Sequence, residues 1–332
     1  MVHLPRVALV LLVLAGACAD GTAAPATSGD GRQRIVTTVS PLTSIVANVV
    51  GDRAVVTGIV PEGTNSHTFE PPPSAARVLA QADVVFVNGL KLEEPTRDLA
   101  SKSRKAGAET VELGSLALPE AEQLYDFSFP REGGKPNPHL WTSPPLVRRY
   151  AEVVRDTMVR RDPEGAAAYR ANAAAYTARV DAFDSALRTA SATLPAERRK
   201  LLTYHDAYAY FAREYGWTVI GAIQVSDFED PTPRELAAII DQVRAEEVPA
   251  IFGSELFPSP VLERIGKDAG VRYVDELRDD DLPGKPGEPR HTLLALLQFD
   301  FVTMIRSLGG DPAALEAVDV GDIAPDRATY PQ

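Results

Sequence analysis

Residues 35–60 read IVTTVSPLTSIVANVVGDRAVVTGIV and carry the pattern from which the fold can be predicted. Residues 35–40 and 54–60 are rich in β-branched and apolar side chains, as expected of buried strands. Between them, the segment from Pro41 to Val50 has a helical pattern that opens on a proline. A strand, a helix and a second strand in this order predict two parallel strands joined by a crossover helix.

The same alternation continues along the chain and is interrupted once by a long helical region. The further predicted strands are 83–89, 110–113, 200–204, 217–222, 250–254 and 271–275. The further predicted helices are 74–82, 93–106, 144–160, 163–193, 207–215, 233–246, 260–269 and 292–308. The helix from Pro163 has Asp162 as its N-cap, and about 30 residues of helix span about 45 Å. We therefore predict an α/β protein with two parallel-sheet (β/α) lobes joined by a long rigid helix.

The N-terminus resembles an export signal. Residues 1–20 (MVHLPRVALVLLVLAGACAD) contain one arginine, an apolar run too short to span a bilayer, and then small residues. Cys18 is the only cysteine of the chain, and its position is similar to that of the lipid-attachment cysteine of bacterial lipoproteins. Soluble secretion, with cleavage after Ala19, is the alternative. Residues 19–34 are small and polar, and we interpret them as a flexible tether.

Composition limits the class of partner. Lys and Arg number 34 and Asp and Glu number 46, which gives a net charge of −12. This charge argues against a nucleic-acid partner and is compatible with the attraction of a cation. The chain also lacks the glycine-rich phosphate-binding motif of an ATPase.

Three histidines lie in segments whose composition is not that of a packed core. His67 lies in PEGTNSHTFEPPP (61–73), His139 in GKPNPHLWTSPP (134–145) and His205 in KLLTYHDAYAYF (200–211). Three neutral imidazoles are a common ligand set for a divalent metal, although three unrelated loop histidines would have the same spacing. Ligands of open parallel sheets bind beyond the carboxyl ends of strands. We therefore predict a metal site in the cleft between the lobes, with Asp275 at the end of the strand 271–275 also facing it.

Four ordered segments resemble one protein family. PEGTNSHTFEPPPSAARVLAQADVVFVNGLKLE, PNPHLWTSP, TYHDAYAYFAREYGW and DPTPRELAAIIDQVRAEEVPAIF are similar to segments of the extracytoplasmic solute-binding proteins of zinc and manganese ABC transporters. The resemblance covers residues 35–308. It implies that His67, His139 and His205 are metal ligands and that Asp275, in VRYVDEL, is the fourth.

This ligand set favours zinc. Members of the manganese branch usually have glutamate where His205 stands, and three nitrogens with one carboxylate suit tetrahedral Zn²⁺. The chain departs from the family at Asn137, where aspartate is usual, and at Ser143. The acidic run 279–281 is expected to be a solvated loop, residues 115–138 a plain mobile loop, and His291 a surface histidine.

The resemblance implies that the protein captures Zn²⁺ and delivers it to a membrane permease served by a separate ATPase. The chain would divide into a signal peptide (1–18), a flexible tether (19–34), an N-terminal metal-binding lobe (35–160), a linking helix (161–195) and a C-terminal metal-binding lobe (196–332). We expect an extracytoplasmic monomer without enzymatic activity, either lipid-anchored at the cell membrane or periplasmic. The alternatives are a manganese-binding protein of the same type, a secreted zinc-dependent hydrolase, and an added role in cell adhesion.

Overall fold

The computed structural model describes residues 31–223, 231–254, 259–278 and 280–330. The expected export signal, Cys18 and most of the tether lie outside the described residues. No helix among those described combines the length and apolarity needed to cross a membrane.

Two four-stranded parallel sheets form the framework. The first contains β1 (Gln33–Thr37), β2 (Ala54–Gly58), β3 (Val84–Val87) and β4 (Glu109–Glu112) in the spatial order β2-β1-β3-β4. The second contains β5 (Lys200–Thr203), β6 (Thr218–Ala222), β7 (Ala250–Ser254) and β8 (Arg272–Leu277) in the order β6-β5-β7-β8. In both sheets the order reverses beside the first strand, which is where α/β sheets open a crevice for ligands.

Helices cover the sheets and connect them. They are α1 (Ser40–Val50), α2 (Pro73–Leu79), α3 (Glu94–Ser103), α4 (Leu113–Ala117), α5 (Pro144–Arg161), α6 (Ala166–Ala192), α7 (Ala209–Tyr215), α8 (Pro233–Glu246), α9 (Pro260–Ala269), α10 (Leu293–Ser307) and α11 (Ala313–Glu316). β3 is buried at all four positions, as expected of a central strand with helices on both faces. The predicted α/β fold of two parallel-sheet lobes joined by a long helix is confirmed.

Helix α6 connects the lobes physically. Its 27 residues correspond to about 40 Å of helix. It contacts α1 and α5, which follow strands of the first sheet, and α10 and α11, which follow the second. The largest apolar cluster runs through this region and includes Val46 of the first lobe, Phe183 of α6 and Phe301 of the second. The lobes therefore share one continuous core.

The last described residues cross back to the first lobe. In this C-terminal tail (residues 319–330), Thr329 O accepts a hydrogen bond from Gly58 N (3.0 Å), and Asp322 Oδ1 accepts one from Asn48 Nδ2 (2.8 Å). The Asn48 side-chain oxygen accepts from Ile323 N (2.6 Å). The end of the segment expected to be the C-terminal lobe is thus bonded to the N-terminal one, and the division at 160 and 195 stays a prediction.

Candidate metal centre

The three predicted histidines converge on one point between the sheets. Their Nε2 atoms lie 3.1 Å apart for His67 and His139, 3.1 Å for His67 and His205, and 2.8 Å for His139 and His205. His139 and His205 are buried and His67 is half-buried. Chain segments separated by 72 and 66 residues thus bring three nitrogens into ligand distance of a single position.

Each histidine is held by its local backbone. His67 lies in the loop between β2 and α2, where its amide N donates to Asn65 Oδ1 (2.9 Å). His139 directly precedes a 3₁₀ turn, Leu140–Thr142. His205 follows β5, and its carbonyl accepts from Thr203 Oγ1 (2.7 Å). Two of the histidines therefore follow the carboxyl ends of strands, at the edge that faces the crevice.

Burial keeps the three rings uncharged. It lowers the pKa of His67 and of His139 well below the ordinary value of a histidine, and it lowers the pKa of His205 to about 4. At neutral pH each ring therefore has one nitrogen with a free lone pair. A cation is the partner that such a cluster of uncharged donors favours.

The spacing of the nitrogens restricts the coordination geometry. A metal with bonds of about 2.1 Å and tetrahedral angles separates its ligand nitrogens by about 3.4 Å. The observed separations are 2.8–3.1 Å, a few tenths of an ångström shorter. The three nitrogens therefore lie close to the spacing that a single ion would require.

The structure does not bring Asp275 to the cluster, which corrects the expected fourth ligand. Within the described residues, only the three histidines have their ligand atoms within 4.8 Å of one another. β8 ends at Leu277, two residues later than predicted, so Asp275 lies inside the strand with an exposed side chain. The residues that follow this strand at the edge facing the site are therefore those after Leu277.

The acidic run after β8 lies at that edge, which corrects its expected role as a solvated loop. Asp280 Oδ2 accepts from the hydroxyl of Ser66 (2.8 Å), beside His67, and Asp281 Oδ1 accepts from Gly63 N (2.9 Å). Asp280 Oδ1 is buried and has no hydrogen-bond partner among the described residues. Burial raises the pKa of Asp280 to about 7. Asp279 lies outside the described residues.

The long loop 115–138 packs against the histidines. Phe129 is buried, and its ring centroid lies 5.7 Å from those of both His67 and His139. Asp126 on the same loop lies beside Asp206, and burial together with the charge of Asp206 raises the pKa of Asp126 to about 9. The loop therefore packs against two of the predicted ligands, a contact that its sequence did not predict.

His291 is fully buried and is not the expected surface residue. Its Nε2 lies 3.2 Å from Glu62 Oε1 and 3.7 Å from Asp326 Oδ2. The C-terminal tail covers it, since Val320 O accepts a hydrogen bond from the neighbouring Thr292 Oγ1 (2.6 Å). Sequence reasoning missed this contact because the tail comes from the far end of the chain.

Known proteins share this sequence pattern and this fold. The family described as zinc-uptake complex component A, periplasmic, matches residues 35–304. The manganese-binding lipoprotein MntA of Halalkalibacterium halodurans is 31% identical over 303 residues, which are 90% of this chain and 96% of the relative. The iron-binding protein YfeA of Yersinia pestis is 29% identical, with 83% and 86% covered.

Among solved structures, the periplasmic zinc binding protein TroA from Treponema pallidum is similar with a TM-score of 0.75 and 25% identity. The match covers 84% of this chain and 99% of that one. Together with the convergent histidines, these similarities show that the chain belongs to the family of periplasmic zinc-uptake components, the extracytoplasmic metal-binding proteins of ABC transporters, which are not enzymes.

Proposed function

We propose that the protein captures Zn²⁺ outside the cytoplasm and delivers it to the permease of an ABC transporter for high-affinity zinc uptake. As a member of its family it is the substrate-binding component of a metal transporter, which implies a membrane permease and an ATPase as partners. The observation that carries the choice of zinc is the set of three uncharged imidazole nitrogens within 3.1 Å of one another. Nitrogen-rich sites favour Zn²⁺ over Mn²⁺ by ligand preference and by the Irving–Williams order.

Manganese is the second candidate. Relatives of similar coverage are named for manganese and for iron. His205, the one imidazole that stands where the manganese branch usually has glutamate, would still penalise the harder ion, which prefers oxygen. Lipid attachment at Cys18, the monomeric state and any role in adhesion stay predictions from the sequence.

A carboxylate completes the proposed site, and we assign it to Asp280. Its Oδ1 atom is buried without a partner among the described residues, and its Oδ2 atom is bonded to Ser66, the neighbour of His67. Neither oxygen is yet within 4.8 Å of all three nitrogens. Binding of the ion would draw this carboxylate inward and so connect the second lobe to His67 and His139 of the first.

Capture, and not hydrolysis, suits the surroundings of the site. Four protein ligands would leave no position on a tetrahedral ion for a reactive water. Glu70, a candidate general base for the hydrolase alternative, is exposed, and Glu255, the other candidate, lies outside the described residues.

Metal competition tests the proposal. Purified mature protein should bind one Zn²⁺ per chain and retain it against a large excess of Mn²⁺, with the zinc affinity higher by at least about 100-fold. His205→Glu is the informative variant, since it replaces a nitrogen ligand by a carboxylate. It should reduce the ratio of the zinc affinity to the manganese affinity. Equal affinity of the wild type for the two ions would overturn the assignment to zinc while leaving metal capture intact.

A further inference from the structure

The side chain of Asn137 makes hydrogen bonds to both of the lobes. It is fully buried. Its Oδ1 atom accepts from the backbone N of His139 (3.0 Å) and lies 2.8 Å from His139 Nδ1. Its Nδ2 atom donates to the carbonyl of Asp206 (2.8 Å) and to Asp126 Oδ2 (2.9 Å). Every hydrogen-bonding direction of the amide is therefore used.

Two of these partners determine which way the amide points. The backbone N–H of His139 can only donate, and the carbonyl of Asp206 can only accept. A rotation of the amide by 180° would place its NH₂ group against the N–H of His139 and its oxygen against the carbonyl of Asp206. Each buried group left unpaired costs about 1–3 kcal/mol. The amide oxygen must therefore face the imidazole of His139.

The orientation of the amide determines the tautomer of His139. Because Asn137 Oδ1 can only accept, the imidazole must carry its hydrogen on Nδ1. A neutral imidazole has only one such hydrogen, so its Nε2 lone pair points at Nε2 of His67 and His205. We propose that Asn137 is the positioning residue that presents His139 in its metal-binding tautomer and joins it to the segment that carries His205.

The position requires a neutral amide. An aspartate at 137 would keep the acceptor for His139 but would place its second oxygen against the carbonyl of Asp206 and the carboxyl of Asp126. The carbonyl of Asp206 can only accept, so this second oxygen would leave it without a donor in a buried space. This contact favours asparagine at a position where aspartate is usual in the family.

The amide also connects the lobes near the site. Asp206 directly follows His205 and belongs to the second lobe, whereas His139 and Asp126 belong to segments before α5. A nearby bond runs in the same direction, from Thr142 Oγ1 to the carbonyl of Ala207 (3.1 Å). Asn137 therefore fixes the position of His139 relative to His205, so its loss should affect two ligands at once.

The tautomer can be measured without any metal. The chain has five histidines, so histidine-specific ¹⁵N labelling gives few ring signals, and His139→Gln identifies the one of interest. In the metal-free wild type we expect Nδ1 of His139 to be protonated and Nε2 to be bare. A His139 ring protonated on Nε2 would overturn the proposal, and this measurement needs no variant of Asn137.

Variants of Asn137 then test whether the tautomer of His139 affects zinc binding, a step that rests on the proposed function. Asn137→Ala should mix the two tautomers of His139 and weaken zinc binding by about 10–100-fold. Asn137→Asp should weaken it similarly, because a carboxylate at this position cannot donate to the carbonyl of Asp206. Asn172→Ala is the matched control, because this amide donates to Val49 O far from the histidines and should leave the tautomer and the affinity unchanged.

The outcomes separate the two proposals. An unchanged tautomer and affinity in Asn137→Ala would refute the role of Asn137. A wild type that binds no zinc but shows the Nδ1–H form would refute the proposed function and support the positioning of His139.

Discussion

At the scale of single residues, burial converts ordinary histidines into metal ligands. An exposed imidazole is partly protonated near neutral pH, but burial lowers the pKa of His205 to about 4. A proton therefore competes poorly for this nitrogen above pH 5. The carboxylate of Asp280 would supply the charge that the imidazoles lack, and its burial beside Ser66 keeps it close to them.

The assignment of the fourth ligand can be tested by a pair of isosteric changes. Asp280→Asn should weaken zinc binding by about 10–100-fold and reduce the zinc-induced rise in melting temperature, because it removes the only charge from the ligand set. Asp275→Asn is the matched control, since Asp275 is exposed within β8. Calorimetric titration and thermal unfolding with and without zinc measure both effects. A large loss of zinc affinity in Asp275→Asn, without one in Asp280→Asn, would show that Asp275 and not Asp280 is the fourth ligand.

The three histidine positions could be predicted from sequence because glycine, asparagine and proline around them mark loops at strand ends. The fourth could not, since the end of a strand is set by its neighbours. β8 pairs with β7 beyond Asp275, up to the pair Leu277–Ser254. Nothing in VRYVDEL shows that this pairing continues for two more residues.

At the scale of elements, the loop that carries His67 is fastened by a buried cluster. Glu62 on this loop and Asp326 of the C-terminal tail lie near the same atom, Nε2 of His291, which comes shortly before α10. Burial and the charges of Asp281 and Asp326, partly opposed by that of Arg278, together raise the pKa of Glu62 to about 8. A protonated Glu62 is therefore part of the folded state at neutral pH.

The proton held by Glu62 in the folded state should make the stability of the protein depend on pH. Between pH 4.5, the ordinary pKa of Glu62, and about 8, its value in the folded state, the folded protein holds a proton that the unfolded chain has lost. The free energy of unfolding therefore decreases as the pH rises through this range, by a few kcal/mol at most from this partly exposed group. Glu62→Gln imitates the protonated form and should stabilise the metal-free protein at pH 8 but hardly at pH 4.5.

Urea unfolding of the metal-free protein at the two pH values measures this difference. Glu70→Gln, on the same loop but exposed, is the control and should change stability little at either pH. An equal effect of Glu62→Gln at pH 4.5 and pH 8 would contradict the prediction.

At the scale of the whole molecule, the alternation of strands and helices was sufficient to predict two lobes and the helix between them. Several bounds agree with the prediction to the residue, as for α8, β7 and α9. The path of the C-terminal tail could not be predicted, because residues 319–330 form no regular element apart from an isolated bridge between Thr329 and Thr57. Their position depends on contacts with the first lobe, which lie far away in the sequence.

The tail matters for the whole molecule because it follows the second sheet in the chain and contacts the first lobe. Its contact with β2 is tight, since a Cβ atom added to Gly58 would collide with the ring of Tyr330. Gly58→Ala should therefore reduce stability by about 1–3 kcal/mol through overpacking. The added change Tyr330→Ala should remove that clash, so the double variant should be no less stable than Tyr330→Ala alone.

The control for this pair lies in the other lobe. Gly221 in β6 is also a strand glycine, but a Cβ atom there would meet Leu202 and Gln242 at ordinary contact distances of 3.7 and 3.8 Å. Gly221→Ala should be tolerated both in the wild type and in Tyr330→Ala. Denaturant unfolding of the five variants gives the coupling free energy directly. Additive effects of Gly58→Ala and Tyr330→Ala would mean that the tail does not rest on β2 in solution.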